Sequence, residues 1–166
     1  MRIVVTAASK HGSTDGIAEV IAGRLEELGA DVDRPLPRAV GDLTDVDGIV
    51  VGSAIYAGRW LADAKDLVER LAAAGTTIPV WLFSSGPLGD PPTPAEEPAD
   101  ASAMVERIHP VEHRTFAGSL RREDLSLAER MVVKAVRAPY GDFRDRDAIR
   151  AWAEQIHSHL TPVTAA

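Results

Sequence analysis

The stretch TAASKHGSTDGIAEVIAGRL, residues 6–25, follows a short apolar run, Ile3, Val4 and Val5, and places Thr6, Ser9, Gly12, Ser13, Thr14 and Gly16 within eleven positions before a helical pattern begins. A plain turn needs two or three such residues. A buried strand, a loop dense in hydroxyls and glycines, and then a helix suggest a loop built to hold a ligand at a strand end. The helix is predicted over 14–28, with Ile17, Val20, Ile21, Leu25 and Leu28 on one stripe and Gly29 as its C-terminal cap.

The same alternation continues along the chain. A weak strand is expected near 30–33, and a nearly all-apolar one over 48–52 in DGIVVGSAI. A helix over 60–73 runs through Leu61, Ala64, Leu67, Val68 and Leu71 and ends at Gly75. IPVWLFSS (78–85) and HRTFAGSL (113–120) are further strands, and helices over 126–137 and 145–160 finish the chain, Asp145 capping the last. Apolar strands alternating with amphipathic helices give a parallel sheet covered on both faces. The expected fold is α/β, a three-layer, doubly wound, five-stranded parallel sheet of order 2-1-3-4-5, with ligands at the carboxyl ends of the strands. The loops that matter then follow Thr6, Gly52 and Ser84.

The chain has 166 residues, enough for one domain over 1–166 that buries roughly 70% of its unfolded surface. Within it, GPLGDPPTPAEEPADA (86–101) carries five prolines and four acids with no base. Such composition favours an extended, solvated loop, either a surface connector or a lid beside the third ligand loop. Residues 161–166 are expected to fray. No apolar run approaches the ~18 residues of a membrane span, and MRIVV enters a strand without the features of a signal peptide. These features predict a cytoplasmic protein. The absence of cysteine removes disulfides, thiolate nucleophiles and thiolate-bound metals, so redox chemistry would need a borrowed cofactor. A net charge of −7 argues against nucleic acid as a partner. It suits a monomer or homodimer, or docking on a basic protein.

In the first loop, hydroxyls and backbone amides around Gly12 stand at a helix N-terminus, which accepts an anion without a dedicated cation. The plainer alternative is that Ser13 or Thr14 only caps the helix. No G-x-G-x-x-G and no Gly-Lys-Ser/Thr run is present, and the strand ends Thr6-Ala7-Ala8 and Gly52-Ser53-Ala54 carry no acids. What remains is a monophosphate held by neutral donors.

Ser9-x-x-Gly12-x-Thr14 after the first strand resembles the FMN phosphate loop of flavodoxin-like proteins. The resemblance implies an FMN site formed by Ser9, Lys10, His11, Gly12, Ser13 and Thr14 in the first loop. It adds Ser53, Ala54, Ile55, Tyr56 and Gly58 in the second, and Ser84, Ser85, Gly86 and Gly89 in the third. Tyr56 or Trp60 would contact the flat ring, with Gly58 giving the second loop freedom to change orientation; Trp60 also fits as a core residue. No Phe, Trp or Tyr occurs between Phe83 and Phe116, where small electron-transfer flavodoxins usually place one, so one ring face is expected to be open. SKHGST, GSAIYAGRW and the C-terminal run from Phe116 to Ile156 are similar to the flavodoxin-domain group containing menaquinone-dependent protoporphyrinogen dehydrogenase. This implies an FMN oxidoreductase with a quinone or porphyrinogen partner and peripheral membrane contact. Where those enzymes carry a long basic insertion, this chain has its acidic proline loop. An electron carrier docking a redox protein, without catalysis of its own, is the alternative, and a relative that kept the fold and lost FMN is a third.

His11 either assists the phosphate or faces solvent, and His109 and His113 are expected on the surface. His157 and His159, two apart on a helix, point to different faces and make no metal pair. Arg130, Lys134 and Arg137 share a helical face near Arg121 and Arg122. Glu123, Asp124 and Glu129 are interspersed, so this is either a solvated face or a patch for an anionic partner.

Overall fold

A computed structural model of the chain describes residues 1–56, 58–86, 88 and 99–162. The elements are β1 (Arg2–Ala8), α1 (Ser13–Glu27), β2 (Asp31–Asp33), β3 (Gly48–Tyr56), β4 (Arg59–Trp60), α2 (Ala62–Ala73) and β5 (Val80–Ser85). After these come α3 (Ala99–Ile108), β6 (Glu112–Phe116), β7 (Ser119–Leu120), α4 (Leu127–Val136), β8 (Gly141–Asp142) and α5 (Arg146–Leu160). The main sheet runs β2-β1-β3-β5-β6 and these five strands are parallel. Counting them alone gives the expected order 2-1-3-4-5. The register sets Ala8 beside Ser53, Ser53 beside Ser84, and Ser85 beside Phe116. The three candidate loops therefore leave the sheet along one edge.

Strand alternation divides the apolar residues between two layers. Ile3, Val5, Val50, Trp81, Phe83 and Phe116 point to α1 and α5, where Ile17, Ile21, Leu25, Ile149, Trp152 and Ile156 meet them. Val4, Ile49, Val51, Val80 and Leu82 point to α2 and α3, against Leu67, Val68, Leu71, Ala101 and Met104. At Gly52 the Phe83 ring lies where a Cβ would stand. Gly52→Ala is expected to cost about 1–3 kcal/mol through overpacking, read from the midpoint of denaturant unfolding.

On the outer side of the first layer, Glu27 of α1 accepts from Arg150 of α5 at 2.6 Å and from Arg24 at 2.8 Å. Arg150 first, and then Arg24, bring its carboxyl down to about 2. A carboxyl lowered on folding stabilises above its ordinary range, about 4.3, and that contribution is lost as pH falls toward the folded value. The melting temperatures of wild type and Glu27→Gln should differ modestly near neutral pH, as exposed pairs do. They should converge between about pH 5 and pH 2.

Four local differences from the sequence expectations have physical causes. The strand expected over 113–120 leaves the sheet after Phe116, and Ser119–Leu120 pair instead with Gly141–Asp142 as a small antiparallel ribbon. The helix expected from Trp60 starts at Ala62, because Ile55 pairs with Trp60, turning 55–60 into a hairpin. Helix α3 was hidden by its proline-rich flank: Ala101, Met104, Val105 and Ile108 form a helical stripe on the second core. The loop expected over 86–101 thus ends in helix at 99–101, while 87 and 89–98 lie outside the described residues. Gly29 and Gly75 follow their helices at positive φ, and Asp145 accepts from Ala148 N–H at 2.9 Å as the cap of α5. Of the tail, Thr161 still donates to His157 O, and 163–166 lie outside the described residues. Among the described residues no helix is long and apolar enough to cross a membrane.

Candidate functional site

The loop between β1 and α1 does not cap its helix by side chain. Gly12 stands at the N-cap with φ 78°, a conformation in which glycine meets no Cβ penalty, and no side chain accepts from the first-turn amides. Ser13 is used elsewhere: its Oγ accepts from Ser119 N–H at 2.7 Å, tying the helix start to the β7–β8 ribbon. Ser9 Oγ and Thr14 Oγ1 are buried and have no hydrogen-bond partner. Buried hydroxyls are ordinarily satisfied, and each orphan costs about 1–3 kcal/mol. Two orphans at the start of a fifteen-residue helix with uncapped amides are donors of the kind an anion requires.

These residues open on a cavity of about 370 Å³, within the roughly 300–1,000 Å³ of small-molecule sites. The first loop contributes Ser9, Lys10, His11, Ser13 and Thr14. Ala54, Ile55 and Tyr56 come from the end of β3, and Ser85, Gly86 and Leu88 from beyond β5. Gly86 is fitted closely, since a Cβ there would stand 2.7 Å from Ile55 Cβ. Ser53 and Ser84 face the opposite layer. Ser53 Oγ accepts from Leu61 N–H at 2.9 Å, and Ser84 Oγ accepts from Trp60 Nε1–H at 2.8 Å and bonds His113 Nε2 at 2.9 Å. Trp60 is accordingly a core residue, 2% exposed, and His113 is half-buried rather than on the surface. Gly12 and Gly58 shape their turns without lining the cavity, and Gly89 lies outside the described residues.

One wall of the cavity has no counterpart among the residues expected from sequence. Gly118, Ser119 and Leu120 of the ribbon, Leu125 before α4, and Glu129, Val132 and Val133 on α4 all line the cavity. Helix α4 begins with a reciprocal capping box, Ser126 with Glu129, and makes no extensive contact with another helix or strand among the described residues. What fastens it is Glu129. Its Oε1 lies 2.9 Å from Lys10 Nζ, 3.0 Å from His11 Nε2 and 3.3 Å from Tyr56 OH, and Lys10 Nζ sits 3.8 Å over the Tyr56 ring. One carboxylate thereby joins the first loop, the second loop and the wall. Lys10 first, then Ser126, hold the Glu129 carboxyl well below the usual carboxylate range, and Glu129 and Tyr56 raise Lys10. The latch therefore stays charged through neutral pH and is lost only as pH falls below that range. Glu129→Gln should loosen α4, seen as faster amide exchange over 126–137 at pH 7 with the sheet unaffected.

The topology and a cavity at the β1/β3 switch point are shared by several α/β families, and comparison with known proteins decides among them: the flavodoxin domain model matches residues 4–147. The chain belongs to the flavodoxin domain family. A flavodoxin from the domain Archaea superposes with a TM-score of 0.65 at 17% identity, covering 96% of this chain and 99% of its own. Oxidised flavodoxin 1 from Bacillus cereus gives 0.64 at 16%, covering 97% and 100%. Rubredoxin oxygen:oxidoreductase from Desulfovibrio gigas gives 0.67 at 13%, covering 96% of this chain and 36% of that one. No curated protein matches the sequence.

The cofactor of a flavodoxin domain is FMN, and the cavity suits it. The orphan hydroxyls of Ser9 and Thr14 with the α1 amides supply what a phosphate needs. Tyr56, Ile55, Gly86, Leu88 and the apolar wall supply what a flat ring needs.

Proposed function

We propose that this flavodoxin domain is an FMN-dependent oxidoreductase. Its electron partner is an organic molecule, a quinone or porphyrinogen, in the manner of menaquinone-dependent protoporphyrinogen dehydrogenase. The observation that carries the reading is the composition of the cavity, which combines unpaired buried hydroxyls in its first loop with the apolar lining of Leu120, Leu125, Val132 and Val133. Tyr56 is the single aromatic residue among those described at the cavity, so a planar cofactor is shielded by one ring and leaves room for an organic reactant. FMN, when bound, accepts and releases electrons one or two at a time.

The chain's own residues bind, orient and exclude water. Ser9 and Thr14 would donate to the phosphate, and Ser13, engaged with Ser119, fixes the first turn of α1. Arg144 donates to Ser13 O while paired with Asp142 at 2.6 Å, bracing the same turn from the ribbon side. Glu129 keeps α4 against the mouth and holds the Lys10 and Tyr56 side chains together.

The test is direct. The full chain is titrated with FMN, reduced anaerobically with dithionite and mixed with a water-soluble quinone. Reoxidation by the quinone at a catalytically useful rate is expected. A chain that binds FMN but yields its electrons only to a redox protein is instead an electron carrier. The net charge of −7 favours that second reading, through docking on a basic partner.

A further inference from the structure

Helix α4 has a second face. Its inner side lines the cavity and its Glu129 is latched to Lys10, but Leu127 and Met131, which do not line it, are 79% and 68% exposed. They are the most exposed large apolar side chains described in the molecule. Leu127, Arg130, Met131 and Lys134 fall at i, i+3, i+4 and i+7 and share one face. The groove beside them adds the exposed cations Arg122 and Arg137 and half-exposed Tyr140. No acid lines that groove among the described residues. Glu123 and Asp124 lie in the turn before the helix, and Glu129 of the helix itself is engaged on the cavity side by Lys10. On a chain with a net charge of −7, four cations around projecting apolar side chains run against the general surface.

A ten-residue helix is marginal by itself in water, and this one gains little from packing on its own fold. We propose that the outer face of α4 docks on an anionic lipid bilayer. Leu127 and Met131 enter the headgroup boundary, with Arg122, Arg130, Lys134 and Arg137 among the phosphates. Charge selects an anionic partner. Shape selects the bilayer over an acidic protein, because the apolar side chains project outward, where a soft interface takes them without a matching groove. Long cationic side chains lay their stems along such an interface and leave their heads among the phosphates. The same helix walls the cofactor cavity, so docking would bring the cavity mouth to the layer in which apolar quinones dissolve. That consequence rests on the proposed function; the docking itself does not.

The experiment is sedimentation of the full chain, without flavin, with vesicles of phosphatidylcholine alone or mixed with phosphatidylglycerol. Binding is expected to the anionic vesicles only and to weaken steeply between low and physiological salt. Leu127→Glu with Met131→Glu should weaken it at least ~10-fold, as should Lys134→Glu alone on the cationic side. Circular dichroism and FMN titration should be unchanged in both variants, since these positions lie outside the cavity. No binding to anionic vesicles at low salt would overturn the proposal, as would equal binding to neutral vesicles or binding that survives both variants. A chain that ignores vesicles but is retained by an immobilised acidic protein through Lys134 would reassign the face to a protein. FMN titration of the same sample separates this failure from failure of the cofactor reading.

Discussion

Ser9→Ala combined with Thr14→Val should weaken FMN binding by ~100-fold or more, because a hydrogen bond to a charged group is worth about 1.5–3 kcal/mol and two are removed. The apoprotein should behave in the opposite sense. Both hydroxyls are buried without a partner, so Thr14→Val, which keeps the shape, and Ser9→Ala, which deletes only the orphan oxygen, each remove a desolvation cost. The double variant without flavin is therefore expected to melt no lower than wild type, while its FMN affinity, read by quenching of flavin fluorescence, collapses. Loss of affinity accompanied by loss of apoprotein stability would mean the hydroxyls support the loop rather than a ligand. Unchanged affinity would place the phosphate elsewhere.

Trp152→Ala should be the most damaging single change to the fold. Trp152 is fully buried where α5 meets the sheet, packed edge-on against Phe83 and Phe116 with ring centroids 6.2 and 5.5 Å away. Its Nε1–H donates to Glu112 on β6 at 2.6 Å. Truncating a buried tryptophan costs about 3–5 kcal/mol, against a total stability of roughly 5–15 kcal/mol. For a chain of this size that corresponds to a melting temperature lower by roughly 6–20 °C. Trp152→Phe keeps much of the packing and loses the donor, leaving Glu112 one partner short, and should fall between Ala and wild type. A shift of less than about 2 °C for the alanine variant would contradict the account of this core.

The fold was legible because its strands and helices carry different periods in plain view. Ile3, Val4 and Val5 alternate between the two layers, and Ile17, Ile21 and Leu25 repeat at helical spacing, so the order of elements and the sheet topology follow. The hydroxyl-rich loop after β1 was legible too, from the density of hydroxyls about Gly12, although sequence could not say which of them would stay unpaired. Ser13 and Thr14 are neighbours of equal promise, yet only Thr14 is left unpaired. That difference depends on Ser119, more than one hundred positions away.

Ser53 and Ser84 show a related limit. Their places in the strands were found, but the one-residue alternation turns both hydroxyls toward the α2–α3 layer, where Leu61, Trp60 and His113 engage them. The missing wall had one local signal, the Ser126-x-x-Glu129 spacing that opens α4. A capping box announces a helix start but not that its glutamate also reaches Lys10, His11 and Tyr56 across the chain. The two-residue strands of the β7–β8 ribbon are too short to show any period.

The central claim is that the unpaired hydroxyls and helix amides after β1 bind the phosphate of FMN. Parallel titration of the apoprotein with FMN and with riboflavin, which differ only in that phosphate, tests it most directly. The account predicts that FMN binds at least ~100-fold more tightly than riboflavin. Equal affinity for the two, or binding of neither, would contradict it.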